Sequence, residues 1–194
     1  MSRLPYPIWR LLAALALMTV GSAVMYVVVV VLPTVQQEFG ASRASASLPY
    51  TLLLIGFGLG GVFMGRIIDR HGISLALSIG AFGLAAGFAA AAFAPSMLAF
   101  AIIHGILLGL LGCSATFSPL IADISLWFTR RRGLAVTLVA SGNYLAGAVW
   151  PSIIQRGVET WGWRQTYLAL AVFTLVTMLP LTLAMRRRPP VLAE

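Results

Sequence analysis

The side chains able to do chemistry in this chain are few, and they fall into three groups. The first is a short polar stretch, Gly65-Arg66-Ile67-Ile68-Asp69-Arg70-His71-Gly72. The second is Asp123 with the run Arg130-Arg131-Arg132. The third is scattered: Tyr26, His104, Asn143 and Tyr144 each stand inside a long apolar run. The chemistry open to these groups is charge pairing and hydrogen bonding. Hydrolytic sets are missing: there is no His-Glu-x-x-His, no pair of aspartates within an apolar run and no Gly-x-Ser-x-Gly. The acids are Glu38, Asp69, Asp123, Glu159 and Glu194, all at boundaries, in loops or at the terminus. His104 is therefore the one candidate proton carrier inside an apolar run. The basic residues are all arginine, which excludes lysine Schiff bases, a phosphate-binding P-loop lysine and pyridoxal-phosphate anchoring. The single cysteine, Cys113, excludes a disulfide framework and a cysteine metal site within one chain. No cofactor and no metal is implied.

The elements that position these groups follow from composition. Of 194 residues, 60% are hydrophobic and 9% charged, with mean hydropathy +0.95. A water-soluble domain of this size needs far more charge to cover its surface, so lipid is the solvent for most of the chain. Six apolar runs are each long enough for a helix to cross a bilayer. They extend from Leu11 to Pro33, Leu48 to Gly65, Ile73 to Ala94, Met97 to Ile121, Gly133 to Ile154 and Thr166 to Met185. The first is too long for the apolar core of a signal peptide, and five more follow. The fold class is all-α integral membrane: one domain, 1–194, made of a six-helix bundle.

Arginine placement gives the orientation. With the N-terminus inside, Arg3, Arg10, Arg66, Arg70, Arg130, Arg131, Arg132, Arg186, Arg187 and Arg188 face the cytoplasm, while Arg43, Arg156 and Arg164 lie outside. That bias sets both termini in the cytoplasm. The same placement explains the net charge of +8 as membrane topology, and no nucleic-acid partner is expected. Glycines recur four apart at Gly56 and Gly60, Gly61 and Gly65, Gly83 and Gly87, and Gly105 and Gly109. Small residues on one helix face let helix backbones approach in lipid, so the spans form a packed bundle. Gly56, Gly58 and Gly61 also match the dinucleotide fingerprint G-x-G-x-x-G. They follow no strand and lie inside a span, so packing is their role.

Each chemical group carries a plainer alternative. Asp69 sets a carboxylate at the positive boundary, where an arginine or a helix N-terminus is the expected partner; the alternative is a solvated turn. Gly72 supplies an unusual backbone dihedral for that turn. Asp123 is expected to pair with Arg70 or with one of Arg130, Arg131 and Arg132. Those three arginines hold their loop inside and reach anionic headgroups, or serve as a topology anchor alone. His104 is either functional or a satisfied interhelical hydrogen bond. Asn143 and Tyr144, near the middle of the fifth run, Tyr26, a little past the middle of the first, and His104, in the outer part of the fourth, are candidates for a substrate path.

Two segments carry a family resemblance. Gly65, Asp69, Arg70 and Gly72 resemble the G-x-x-x-D-R-x-G signature between helices two and three of the major facilitator superfamily. The family pattern continues with basic residues, where this chain has Ile73 and Ser74. Trp127-Phe128-Thr129-Arg130-Arg131-Arg132-Gly133-Leu134-Ala135 is similar to the entry to helix five in the monocarboxylate and oxalate/formate-type branch, as are Ser141-Gly142-Asn143-Tyr144 and Gly162-Trp163-Arg164. Gly142 and Gly147 are five apart and Pro151 comes late, unlike drug/proton antiporters.

The resemblance implies an N-terminal half of a twelve-helix secondary transporter, with a 3+3 inverted repeat. Its 65–72 loop would latch the outward-open state, and Tyr26 would line the cavity. It implies alternating access with a second six-helix half, supplied by a homodimer or a separate polypeptide. The substrate would be a small organic anion such as a monocarboxylate, and the location a bacterial inner (plasma) membrane. In that branch an arginine of the second half meets the substrate carboxylate, and no arginine lies mid-span here. The chain ends shortly after Arg186-Arg187-Arg188-Pro189-Pro190, where the family's central linker would begin. The alternative is a truncated or scaffolding membrane subunit without transport activity of its own.

Overall fold

A computed structural model of the chain describes residues 6–186, and all of its regular structure there is helical. Six helical rods are long and apolar enough to cross a membrane: Tyr6–Glu38, Arg43–His71, Ile73–Ala92, Met97–Trp127, Arg132–Trp161 and Trp163–Ala184. Most overrun the apolar segments at one or both ends. The backbone leaving the hydrocarbon still needs its hydrogen bonds, and the helix supplies them until a capping residue ends it.

The first rod is two helices, α1 (Tyr6–Gly21) and α2 (Ala23–Glu38), parted by a turn at Ser22. Helix α3 (Arg43–His71) starts where the Ser42 hydroxyl accepts the Ser45 amide at 3.2 Å. It stops at Gly72, and α4 (Ile73–Ala92) begins at the next residue. The fourth rod is composite. Helix α5 (Met97–Ile103), capped by Ser96, widens into a π-helix over His104–Gly112, tightens into a 3₁₀ turn over Cys113–Thr116, and resumes as α6 (Ser118–Trp127). Helices α7 (Arg132–Trp161) and α8 (Trp163–Ala184) meet at Gly162.

The two glycine junctions share one backbone geometry. Gly72 has φ 85° and ψ 166°, and Gly162 has φ 81° and ψ 160°. Side-chain-bearing residues are strained there, so glycine is needed at both positions. Each half of the chain thus holds a broken span, a long span, a one-glycine turn and a shorter span. Three crossings reverse the chain's direction, so the second set runs through the membrane upside down relative to the first.

The bundle packs on small residues. A methyl at Gly56 would strike the Gly105 carbonyl, and one at Gly60 would sit 2.6 Å from the Ser114 Cβ. Gly83 and Gly87 of α4 likewise face Leu111 and Leu108 across the gap. The pair Gly61 and Gly65 differs from the sequence expectation. Both face open space, as does Gly58. Spacing of four marks a face, but only the face turned to a neighbour packs, and here that is the Gly56–Gly60 face.

Candidate functional site

Near the middle of the bundle, the first span is braced against α7 by two hydrogen bonds that run in opposite directions. The Tyr26 hydroxyl donates to the backbone carbonyl of Asn143 at 3.1 Å. The Trp150 indole N–H donates to the Thr19 carbonyl at 2.8 Å, three residues before the break at Ser22. Both acceptors are backbone groups of the opposite helix. Close approach is possible because Gly147 lies under the Tyr26 ring and Gly142 lies against Leu15 and Met18. Beside this brace the Asn143 side-chain oxygen is buried and has no hydrogen-bond partner among the described residues. An amide oxygen in that state asks for a donor. Tyr144, the next residue, points the other way and is 78% exposed. Sequence reasoning picked out Tyr26, Asn143 and Tyr144 but passed over Trp150 and Thr19. The signal was present: a tryptophan deep in an apolar span must place its N–H somewhere.

His104 has a different environment. It is fully buried at the start of the π-helix. Its Nδ1 lies 2.8 Å from the Phe100 carbonyl, which can only accept, so Nδ1 carries the proton. Nε2 then accepts from the Tyr167 hydroxyl at 3.1 Å. Phe100 and Tyr167 close round the ring, with Trp163 and Phe88 behind them. Both nitrogens are satisfied, and no open cavity reaches them. The contact with Tyr167 is an interhelical hydrogen bond between the fourth span and α8.

The arginine-rich end holds a buried two-point ion pair, and it corrects the sequence expectation for Asp123. The carboxylate pairs with Arg10, not with Arg70 or the Arg130-Arg131-Arg132 run. Arg10 Nη2 lies 2.6 Å from Oδ1, and Nε lies 2.7 Å from Oδ2. Arg10 Nη1 donates to the Tyr6 hydroxyl at 3.0 Å and to the Met185 carbonyl at 3.2 Å, and the guanidinium lies over the Trp127 ring. Arg10 is 0% exposed, although its place ahead of the first apolar run suggested a membrane flank. Burial of a charge on this scale is tolerated because the fork geometry satisfies it. Arg130, Arg131 and Arg132 are exposed.

The Gly65–Gly72 turn projects at the same end. Asp69 is exposed in the last turn of α3 and makes no ion pair or side-chain hydrogen bond among the described residues. The partner expected for it is absent there because water solvates an exposed carboxylate. Asp69, Arg70 and His71 line a cavity of about 360 Å³, together with Ser74, Asp123 and Arg186.

The opposite end is stapled by Arg164. Its Nη2 and Nε reach Glu38 Oε1 at 2.7 and 3.2 Å, and its guanidinium also donates to the carbonyls of Ala92 and Ala94. The Trp163 indole donates to the other Glu38 oxygen. One arginine thus joins the ends of α2, α4 and α8. Sequence reasoning noted the Gly162-Trp163-Arg164 motif without this role.

Comparison with known proteins places these features in context. The family model described as the Major Facilitator Superfamily matches residues 11–194. The riboflavin transporter of Trypanosoma cruzi is 30% identical over 131 residues, covering 67% of this chain and 28% of its own. Monocarboxylate transporter 11 of Homo sapiens is 33% identical over 106 residues, covering 55% of this chain and 22% of its own. The fold superimposes on a proton:xylose symporter bound to 6-bromo-6-deoxy-D-glucose, with a TM-score of 0.72 and 19% identity. That match covers 91% of this chain and 44% of the symporter. The chain spans less than half the length of each of these proteins.

Proposed function

Because the chain belongs to the Major Facilitator Superfamily, we propose that it is the six-helix unit of a secondary active transporter. In this reading it works by alternating access against a second six-helix half. The observation that carries the proposal is a stripe of polar side chains on one membrane-embedded helix face. Within the membrane, α4 and α8 expose Leu75, Phe82, Val172, Phe173 and Val176, as helices in contact with lipid do. Helix α7 presents Thr137, Ser141, Tyr144 and Ser152 along one stripe, beside the exposed apolar Leu138, Leu145, Val149 and Ile153, and Tyr144 is the most exposed of its large hydrophobic side chains. The most apolar stretches of α3 and α7 are 22% and 28% buried, against 33% for α8 and 50% for the first, third and fourth spans. Polar groups on a membrane-embedded surface call for water or a protein partner. A second copy of this chain, or a separate polypeptide, would meet α3 and α7 there and enclose an aqueous path. Tyr144 stands on its wall, with Tyr26 and the buried Asn143 oxygen in the layer behind it.

The finer parts of the reading rest on motif similarity. The Gly65–Gly72 turn acts as the latch at the cytoplasmic mouth, with Asp69 and Arg70 exposed toward the second half. The arginine distribution supports cytoplasmic termini, and the membrane in this reading is the plasma membrane. The substrate is a small organic anion, in line with the monocarboxylate-type motifs at 127–135 and 141–144. No arginine lies mid-span among the described residues, so the cation that meets the carboxylate comes from the second half.

Reconstitution of the purified chain in proteoliposomes tests this. Uptake of labelled short carboxylates would be screened at two pH values, with Tyr144→Ala and Asp69→Asn as variants and native mass spectrometry reporting the assembly state. The expected result is an assembly of at least two copies with uptake that both variants reduce. A strict monomer with no uptake of any compound sinks the proposal for this chain acting alone.

A further inference from the structure

We infer that Arg10 is a positioning residue of the latch: by neutralising Asp123 it keeps the cavity beside the Gly65–Gly72 turn basic. The inference rests on the proposed reading of that turn. Asp123 is one of the cavity's lining residues, so its charge belongs to the same field as Arg70, His71 and Arg186. The turn brings no extra counter-charge of its own, because Ile73 and Ser74 follow Gly72. The counter-charge comes instead from the first helix, and Arg10 is held for the task. Two of its nitrogens grip both oxygens of Asp123, Nη1 is tied to Tyr6 and Met185, and the Trp127 ring covers the guanidinium at 4.7 Å. A guanidinium held at this many points, and 0% exposed, has no freedom to leave.

The consequence is a division of charge. With Asp123 paired to Arg10, the cavity keeps, among the described residues, Arg70 and Arg186 as cations and Asp69 as the one carboxylate left over. Without Arg10, Asp123 would be a nearly buried carboxylate with nothing to balance it. Arg70 and Arg186 are the cations lining the same cavity, and either would be drawn onto it. The turn would then be fastened to its own half, and its charges would be unavailable to the opposing half.

A cysteine reporter measures this without a substrate. Leu126 lines the cavity, is 54% exposed and lies outside the turn. Leu126→Cys in a Cys113→Ala background, in membrane vesicles, would be labelled with an anionic and a cationic methanethiosulfonate. The anionic reagent should react faster. Arg10→Gln should lower the anionic-to-cationic rate ratio by about two- to fivefold, the scale of one unit charge roughly 8 Å away in screened water. Asp123→Asn should raise the ratio. Arg10→Gln with Asp123→Asn should restore it, and Arg10→Lys should hold it near the starting value. Loosening of the fold would move both single variants the same way, so opposite shifts separate charge from stability. An unchanged ratio in Arg10→Gln overturns the inference, and so does a double variant no better than Arg10→Gln. If the ratios shift as expected but Asp69→Asn leaves uptake intact, the role of Arg10 stands and the latch reading falls.

Discussion

Replacing Gly60 with alanine is the sharpest test of how this bundle is held together. Gly60 lies on the face of α3 that meets the fourth span. An added methyl would stand 2.6 Å from the Ser114 Cβ and would also press on the Leu110 carbonyl. Two non-bonded carbons settle near about 3.5–4.0 Å, so the helices must part by about 1 Å. Neither obstacle is a flexible chain end: one is a Cβ and the other a backbone oxygen. Strain of that kind in a packed interior costs about 1–3 kcal/mol. Gly58, two residues earlier, provides the control. A methyl there meets nothing within 4 Å. Alanine is favoured over glycine in a helix by about 1 kcal/mol, so Gly58→Ala should be neutral or stabilising. The propensity gain is common to both variants and cancels, so they should differ by the strain alone, about 1–3 kcal/mol. Unfolding of the protein in mild detergent by added dodecyl sulfate, followed by tryptophan fluorescence, measures the difference. If Gly60→Ala unfolds at the same dodecyl sulfate fraction as Gly58→Ala, the close approach of these helices is wrong.

Two further outcomes are expected. Tyr167→Phe removes the donor to His104 Nε2 and leaves a buried acceptor unpaired, so the same unfolding assay should show a loss of about 1–3 kcal/mol. The pH profile of uptake should not move, and a shifted profile would return His104 to the list of proton carriers. At the opposite end, Glu38→Gln breaks a half-exposed ion pair and should cost under about 1 kcal/mol, less still in high salt. Arg164→Ala should cost more, because the Ala92 and Ala94 carbonyls lose their donor as well. Equal effects from the two variants would mean the staple is merely electrostatic.

The spans were legible in the sequence because a bilayer imposes length and apolarity on each one independently. The Gly72 turn was legible for a similar reason, since its backbone conformation is a local demand. The pairing of Arg10 with Asp123 was not. The partners are 113 residues apart, and each looks in sequence like a charge at the edge of a span. Nothing local says that Arg10 turns inward, or that Tyr6, Trp127 and Met185 assemble around it. The breaks at Ser22 and Cys113–Thr116 were equally hidden, because hydropathy reads through a break as if it were a helix. Asn143 shows the reverse case. Its polarity in an apolar span was plain, but only the packing revealed an oxygen left without a donor.

The single-glycine junctions at Gly72 and Gly162 also constrain biogenesis. With no slack between α3 and α4, or between α7 and α8, neither partner can be delivered into the bilayer and wait for the other. Each pair must enter as a hairpin, with its tip leading or trailing as one unit. A reporter inserted at residue 72 or 162 would therefore abolish assembly, whereas the 128–131 connection has room for one. That connection is where the polypeptide could be divided and the two pieces still find each other.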